Sequence, residues 1–367
     1  MSQKKRILLI GDTPGWAFHR IIEFIQNNIP GYDFFFDFTV NRPRIGASVS
    51  SDFVSRGTVS PSPVRTKWPF QNIYILRGLV YRTVKFLHRI GLSKFDENGF
   101  IRKIASDNCY DLVVYLDYYM NKDADFDHIK APKTIKGIFT DQFPPTGVIH
   151  KTGLTPKVFV EEFLNDCNAL LVGSPSSVKL YSEAFKQPIF FANLCYDEFL
   201  FVPKIKKKRK SFVIGWTGNP DREFKGFYSH VLPTIKALQA KGYPVEFRSQ
   251  FTGSLSSLAT FWQDIDLALI TSEADAGPSM FIEASLCGVP SVSTKIGLPS
   301  FVIEDGINGL FCERRLDDML LKIQRLLDEP ELHKRLKNNI RASFIKELGV
   351  EAQKKRWDKL FNAVLNE

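Results

Sequence analysis

Two acidic residues, Asp275 and Glu283, are separated by seven others in the segment from residue 265 to 312. The segment predicts a buried strand, a loop that contains Asp275 and Gly277, and a helix that begins at Ser279. Backbone N–H groups at the start of a helix bind phosphate groups, and a nearby glycine lets a ligand approach the main chain. Glu283 lies on the same helix, where an ionised carboxylate accepts hydrogen bonds from two vicinal sugar hydroxyls. The alternative is an ordinary serine N-cap with acidic residues in the first turn.

A second polar segment, residues 214–226, runs from a predicted strand into a loop. Arg222 and Lys225 lie in that loop, where their positive charges can neutralise negative charge that builds on a leaving diphosphate. Open parallel sheets bind their ligands at the carboxyl ends of the strands, so the loop is expected to face a ligand. The alternative is a solvated basic turn before a helix.

The order of these motifs resembles the signature of glycosyltransferase family 4, whose members are retaining enzymes with the GT-B fold. Glu283 is followed by residues 284–290, ASLCGVP, which look like the family's E-A-x-x-C-G-x-P. Residues 297–299, GLP, and residues 304–310, EDGINGL, match the continuation of the same signature. The resemblance is specific in the C-terminal half of the chain and extends to the N-terminal half in architecture only.

The resemblance implies a role for each matching residue. Glu283 binds the ribose hydroxyls of a nucleotide-sugar donor and makes no core contact, while Asp275 lies beside the transferred sugar, where the family usually has the longer Glu. Lys225 matches the family's G-R-x-x-x-x-K-G, but Asn219 stands at its Arg position, so Arg222 must supply the second positive charge. The implied catalytic residues are Arg222, Lys225, Asp275 and Glu283. The implied donor-binding residues are Gly15, Gly218, Asn219, Gly277, Pro278, Ser279, Met280, Phe281 and Glu283.

The residues that are expected to contact the acceptor have weaker sequence signals than the donor residues. Residues 11–16 join the first predicted strand to the first helix, where GT-B enzymes place a glycine-containing loop near the donor phosphates and the acceptor. Trp16 and His19 are therefore candidate acceptor contacts, and core packing is the alternative for Trp16. Asp141 follows a later strand, where the family has a His, and is a third candidate. Its alternative is a strand-end turn residue.

These residues need a scaffold, and the sequence predicts one of alternating strands and helices. Residues 5–11, 16–28 and 32–40 read as strand, helix and strand, and the alternation resumes at residue 212 after the basic stretch PKIKKKRK, residues 203–210. Apolar strands of this kind form parallel sheets that are covered on both faces. We expect an α/β protein with two Rossmann-like lobes facing a cleft. The predicted boundaries are an acceptor-side lobe at residues 1–200, a nucleotide-sugar-binding lobe at 201–350, and a C-terminal helix at 351–367 that packs back on the first lobe.

Composition narrows the class of protein. The chain has 367 residues, of which 44% are hydrophobic and 24% charged, so it is expected to be globular rather than disordered. Its net charge of +9 favours an anionic partner, which nucleotide phosphates, anionic lipid or nucleic acid would each satisfy. Five cysteines without a C-x-x-C indicate neither a zinc cluster nor a disulfide framework. With no recognisable signal peptide or membrane-spanning run, a cytoplasmic protein is expected.

Residues 73–90 predict an amphipathic helix with Arg77, Arg82, Lys85, His88 and Arg89 on one side. Such a helix can lie against an anionic membrane surface, at the inner face of the cell membrane. It can equally pack its leucines on the first lobe and leave the basic side in water.

A metal site is not expected. The D-x-D pairs at residues 123–127 are better explained as a solvated acidic loop, since GT-B transfer generally proceeds without an essential metal, and no other cofactor is predicted.

The sequence thus predicts a retaining glycosyltransferase that moves a sugar from a nucleoside-diphosphate donor to a hydroxyl acceptor, in bacterial cell-surface polysaccharide or lipid-linked glycan synthesis. Two alternatives remain open. One is a GT-B enzyme that acts on nucleic acid, for which steep salt dependence of duplex binding would be diagnostic. The other is a catalytically inactive GT-B-like binding subunit, which the Asp275 and Asn219 departures suggest.

Overall fold

A computed structural model describes residues 4–12, 15–39, 66–67, 100–101, 110–122, 129, 131–145, 153–205, 209–251 and 253–366. The predicted basic helix at 73–90 and the D-x-D pairs at 123–127 lie outside the described residues. Contacts divide the chain into two units, one of residues 1–22 and 30–136 and the other of residues 23–29 and 137–367. The predicted lobe boundaries at residues 200 and 350 stay predictions.

The first unit contains a parallel sheet. Its elements are β1 (Lys5–Gly11), α1 (Ala17–Asn28), of which residues 23–28 fall in the second unit, β2 (Tyr32–Phe38), β3 (Thr66–Lys67), β4 (Phe100–Ile101), β5 (Leu112–Tyr115), a 3-10 turn at Met120–Lys122, and β6 (Lys133–Ile138), which crosses the boundary after residue 136. Strand β1 lies between β2 and β5, with Ile10 opposite Asp37 on one side and Tyr115 on the other. Strand β6 then pairs with β5 in parallel. Apolar side chains of β1 such as Ile7 and Leu9 are completely buried.

The second unit contains two short parallel strands and a five-stranded parallel sheet. Its strands are β7 (Ala169–Val172), β8 (Ile189–Phe191), β9 (Phe212–Thr217), β10 (Val245–Gln250), β11 (Leu267–Ile270), β12 (Ser291–Ser293) and β13 (Leu310–Phe311). Strands β7 and β8 pair with each other, and the larger sheet has the order β10-β9-β11-β12-β13. Its helices are α2 (Pro156–Phe163), α3 (Pro175–Tyr181), α4 (Leu232–Ala240), α5 (Leu255–Gln263), α6 (Ser279–Leu286), α7 (Gly297–Val302), α8 (Leu316–Asp328), α9 (Pro330–Leu348) and α10 (Val350–Leu365).

The predicted α/β class is confirmed. Strand β11 has four apolar residues, all completely buried, as expected for a parallel strand with helices on both faces of its sheet. Strand β9 begins at the predicted residue 212, and helix α6 begins at the predicted Ser279. The carboxyl ends of β9 and β11 carry the loops with the predicted donor residues of this unit.

Candidate active site

Helix α6 begins directly after the acidic loop that follows β11. Pro278 is its N-cap residue and makes no side-chain hydrogen bond to the first turn, so the serine N-cap interpretation is wrong. The N–H groups of Ser279 and Met280 are therefore not satisfied by a side-chain cap and can serve an anion, whereas Phe281 N donates to the Pro278 carbonyl at 2.9 Å. Met280 and Phe281 are only 4% and 0% exposed, so these residues can offer a ligand little except their main chain.

Glu283 lies on the same helix and is 3% exposed. Its Oε2 accepts a hydrogen bond from the indole Nε1 of Trp262 at 2.7 Å and another from Thr217 Oγ1 at 3.1 Å. Trp262 belongs to α5 and is completely buried, and Thr217 is the last residue of β9. The expectation that Glu283 makes no core contact is therefore wrong. Hydrogen bonds from two other elements hold its carboxylate in place.

Lys225 and Asp275 form an ion pair between two loops of the sheet. Lys225 Nζ lies 3.3 Å from Asp275 Oδ2, and the two side chains are only 17% and 16% exposed. The other carboxylate oxygen of Asp275 accepts a hydrogen bond from Gly277 N at 3.1 Å. Both oxygens of this side chain are thus engaged within the loop region, and one of the bonds holds the lysine that sequence reasoning assigned to the diphosphate.

The turn that carries Lys225 is fixed against the end of β11. Thr271 Oγ1 donates to the Lys225 carbonyl at 2.7 Å, and Glu273 N donates to the Phe224 carbonyl at 2.8 Å. Gly226 has a φ of 70°, and a Cβ there would lie 2.9 Å from Thr271 Oγ1. Glycine is therefore required both by the backbone conformation and by the close approach to β11.

Arg314 is a basic residue of this region that sequence reasoning missed. Its Nε donates to the Thr271 carbonyl at 3.0 Å, and its guanidinium lies 3.6 Å from the carboxylate of Glu273. Burial lowers the pKa of nearby His230, and the positive charge of Arg314 lowers it further. Arg314 follows β13, far from the other motifs in sequence, and no local pattern marks it.

Asp141 contacts the same loops through backbone groups. Its Oδ1 accepts a hydrogen bond from Asp275 N at 2.8 Å, and its Oδ2 accepts one from Gly297 N at 2.6 Å. Burial raises the pKa of the Asp141 carboxyl above its ordinary value, the two backbone donors oppose that shift, and the charge of Asp275 adds to it. The residue predicted as an acceptor contact is thus bonded to the donor-side loops.

Asn193 packs closely against Gly277 of the acidic loop. A Cβ at Gly277 would lie 2.6 Å from Asn193 Nδ2, which donates to the Gly173 carbonyl at 2.8 Å. Helix α10 holds Asn193 in turn, because Trp357 Nε1 donates to its carbonyl at 2.9 Å and Gln353 Oε1 accepts its N–H at 3.0 Å. The acidic loop therefore packs against a buried asparagine whose position is fixed by hydrogen bonds.

The remaining predicted donor residues shape the turn after β9. Gly218 has a φ of 147°, and the Asn219 carboxamide oxygen accepts a hydrogen bond from Asp221 N at 3.0 Å. Asn219 thus stabilises the turn that leads to Arg222, whose side chain is exposed. The structure brings Lys225, Asp275 and Asp141 together and places Glu283 on the adjoining helix.

Three of the predicted residues, Gly15, Trp16 and His19, belong to the first unit. Gly15 N donates to Nδ1 of His19 at 2.6 Å, so this ring nitrogen is an acceptor and the neutral ring carries its proton on Nε2. His19 is 5% exposed and packs edge-on against Phe38 at 5.0 Å between ring centroids. Trp16 is half-buried at the start of α1.

Two features of the described residues bear on the predictions about a metal site and a membrane. No group of three or more His, Cys, Asp or Glu residues there could hold a metal ion. Within the same residues, every helix is too short or too polar to cross a bilayer. Metal-independent chemistry and the attachment to a membrane surface stay predictions.

The chain has two parallel sheets with flanking helices, and polar side chains lie at the carboxyl ends of the strands of one sheet. GT-B glycosyltransferases have the same architecture. Residues 235–343 match the family model described as glycosyl transferases group 1, which confirms the resemblance predicted from the motifs. The sequence similarity to this family covers residues 235–343, and the fold of the chain is similar to that of GT-B enzymes.

Two proteins of known structure and one named enzyme are similar to this chain. HepE from Anabaena, solved in complex with UDP and glucose, is 15% identical and matches 98% of this chain and 100% of its own with a TM-score of 0.63. Sucrose-phosphate synthase from Thermosynechococcus elongatus is 15% identical and matches 99% and 100% with a TM-score of 0.67. An N-acetyl-alpha-D-glucosaminyl L-malate synthase of Bacillus anthracis is 28% identical over 131 residues, which are 35% of this chain and 34% of that protein. The match to this relative spans about a third of its length.

Proposed function

We propose that this protein transfers a sugar from a nucleoside-diphosphate sugar to a hydroxyl group of an acceptor, with retention of configuration. The observation that carries the proposal is the arrangement around α6. The uncapped start of this helix, the buried carboxylate of Glu283 on it and the Lys225–Asp275 pair beside it belong to adjoining loops of one sheet. Such a set offers contacts for phosphate, ribose and leaving-group charge.

Each part of the set serves a different part of the donor. The N–H groups at the start of α6 bind the diphosphate, and Glu283 accepts hydrogen bonds from ribose hydroxyls. Lys225 has three N–H donors, one of which faces Asp275, so a phosphate oxygen can receive another. Positive charge held in a partly buried place stabilises the diphosphate most as it leaves, which raises turnover more than affinity.

The proposed reaction needs no protein nucleophile. The acceptor hydroxyl attacks the anomeric carbon on the face from which the diphosphate departs. The bond from that carbon to the phosphate oxygen breaks as the bond to the acceptor oxygen forms, and a phosphate oxygen of the leaving group takes the hydroxyl proton. The products are the glycosylated acceptor, with its original anomeric configuration, and the nucleoside diphosphate.

UDP is the nucleotide to test first, because HepE has the same fold and was solved with UDP and with UDP-glucose. A thermal-shift comparison of UDP, GDP, ADP and CMP, with their common sugar derivatives, tests the donor site directly. A ligand at 100 times its Kd stabilises the protein by about 2.7 kcal/mol. We expect one nucleotide to raise the melting temperature of the wild type and to raise it less in Lys225→Met. Lys241→Met, at an exposed lysine of the same unit, is the matched control.

One observation favours a second candidate, a binding subunit without catalysis. Both oxygens of Asp275 are already engaged, one with Lys225 and one with Gly277 N. If the short Asp cannot also reach the transferred sugar, the protein would bind a nucleotide sugar and leave it intact. Release of the nucleoside diphosphate by purified wild type excludes this candidate.

We further propose that the acceptor is part of a cell-surface or lipid-linked glycan and that the protein works at the inner face of the membrane. Support comes from the sequence, because residues 41–94 contain ten Lys or Arg and one acidic residue, Asp52. Anionic lipid attracts such a segment with about 1 kcal/mol per basic residue near the surface.

A further inference from the structure

We propose that Asp141 is a positioning residue of the donor site, whose carboxylate holds two loops of the sheet so that Lys225 meets the diphosphate. The inference rests on the proposed function and adds a residue that makes no contact with the donor itself. Asp141 follows β6, whereas the loops that it holds follow β11 and β12.

The two oxygens of Asp141 serve two different loops. Oδ1 accepts the N–H of Asp275 at 2.8 Å and Oδ2 accepts the N–H of Gly297 at 2.6 Å. These residues lie 134 and 156 positions away in the sequence, so one side chain joins three distant segments. A carboxylate suits this place because both its oxygens are acceptors only, and neither can clash with an N–H donor.

The two loops also touch each other, which makes the arrangement sensitive to small shifts. A Cβ at Gly297 would lie 2.1 Å from the Ala276 carbonyl oxygen, and Leu298 N donates to that same oxygen at 2.9 Å. The main chains of the two loops are thus in direct contact. A loss of either bond to Asp141 would move one loop against the other.

The position of Asp275 then determines the position of Lys225. The N–H of Asp275 is held by Asp141, and the carboxylate of Asp275 is held 3.3 Å from Lys225 Nζ. A displacement of the Asp275 backbone therefore moves the ammonium group. A shift of about 1 Å in a group that stabilises a transition state costs about 100-fold in rate.

The charge of Asp141 adds a pH dependence that simple packing would not produce. Among the described residues, the charged groups that face it are the Asp275 carboxylate and, through that residue, Lys225. Burial raises the pKa of Asp141, so this carboxyl takes up a proton at a higher pH than an ordinary aspartate. The protonated form has one O–H donor where it needs an acceptor, and the hold on one loop is lost.

Stability and transfer should respond to this proton in opposite directions. A raised folded-state pKa means that the folded protein binds more protons than the unfolded chain between the ordinary and the raised value. The contribution of Asp141 to stability therefore falls as pH rises through that window. Transfer rises through the same window, because the ionised form positions the loops.

The experiment compares wild type, Asp141→Asn and the control Asp166→Asn, which removes a charge from an exposed position of the same unit. The probe is the nucleotide sugar that the thermal-shift screen selects. For Asp141→Asn we expect kcat to fall about 100-fold, while the Kd of the bare nucleoside diphosphate changes less than about threefold. The acidic limb of the wild-type kcat profile should be absent in Asp141→Asn and present in Asp166→Asn.

Several results separate the positioning role from the proposed function. Wild-type kcat and pH profile in Asp141→Asn would overturn the role of Asp141 and leave the proposed function standing. If Asp141→Asn does not fold, the wild-type profile decides, and an acidic limb at or below the pKa of an ordinary aspartate overturns the role. A wild type that releases no nucleoside diphosphate from any sugar donor overturns the proposed function, and the positioning role with it.

Discussion

The indole of Trp262 donates a hydrogen bond to the carboxylate of Glu283 over 2.7 Å, and both side chains are almost completely buried. This bond joins the proposed ribose-binding residue of α6 to the core helix α5. It explains how the orientation of a carboxylate can be fixed beside a ligand site, because its two described hydrogen-bond donors, Trp262 and Thr217, are themselves buried. It also means that the residue contributes to folding as well as to binding.

Replacement of Trp262 by Phe should therefore weaken both properties. Phe keeps most of the apolar volume but leaves one buried carboxylate oxygen without its indole donor. A buried polar group that loses its partner costs about 1–3 kcal/mol, so we expect a decrease of that size in the free energy of unfolding. We also expect weaker nucleotide binding, because the Glu283 carboxylate loses the indole donor and, of the two donors described for it, keeps only Thr217 Oγ1. Denaturant unfolding and nucleotide titration measure the two effects.

Glu283→Ala should also be destabilised, in contrast to the expectation from the sequence that Glu283 makes no core contact. The change leaves Trp262 Nε1 and Thr217 Oγ1 without their shared acceptor. Glu331→Gln, at an exposed position on α9, is the control for the loss of one carboxylate. Full stability of Glu283→Ala would contradict the hydrogen bonds described for this carboxylate.

Lys225 and Asp275 should behave as one functional unit. Lys225→Met and Asp275→Asn each break the 3.3 Å ion pair, so the double variant should lose little more turnover than either single variant. We expect each single change to reduce kcat by about 100-fold or more, since the charge acts on the departing diphosphate. A double-mutant cycle on kcat measures the coupling. Strictly additive losses would mean that the two residues act separately.

Gly226 and Gly242 offer a matched test of the turn that carries Lys225. Both have positive φ values, 70° and 85°, but a Cβ at Gly242 meets nothing within 4 Å, whereas one at Gly226 would lie 2.9 Å from Thr271 Oγ1. Gly242→Ala should cost about 1–2 kcal/mol of stability for the left-handed backbone alone. Gly226→Ala should cost more and should also reduce transfer. Equal stability losses and unchanged transfer would show that the contact with Thr271 is unimportant.

The parts of the site that were predictable from sequence are those with local signals. An apolar run followed by a polar loop and a new helix predicted the starts of β9 and α6, because burial and helix periodicity act over a few residues. Lys225 was identified by the match of Lys225 and Gly226 to the K-G pair of the family motif. The fold class followed from the alternation of such segments.

The interactions between segments were not predictable in the same way. Trp262 lies on α5, a helix that the sequence reading did not identify, and its bond to Glu283 depends on how two helices pack. Arg314 and Asp141 contact the loops of the site through hydrogen bonds to backbone groups. A backbone partner cannot be identified from the types of the residues. The residue types in a single sequence therefore indicate the reacting side chains more readily than the side chains that position them.

The basic segment at residues 73–90 gives a prediction that rests on the sequence alone. Wild-type protein should co-sediment with vesicles that contain acidic phosphatidylserine, and high salt should release it, because screened charges no longer attract the surface. Replacement of Arg77, Arg82, Lys85 and Arg89 by Gln should abolish sedimentation with little change in melting temperature. A wild type that ignores these vesicles would favour a soluble acceptor.

Proton NMR of the purified protein with its selected nucleotide sugar, for example UDP-glucose, follows the proposed reaction most directly. Water can replace the unknown acceptor in a slow hydrolysis, so the spectrum reports both release of the nucleotide and the first anomer formed. We expect UDP to appear together with the α-anomer of glucose, which then equilibrates, and we expect neither product with Lys225→Met. Initial formation of the β-anomer would contradict retention. An unchanged spectrum with every nucleotide sugar that the protein binds would contradict sugar transfer itself.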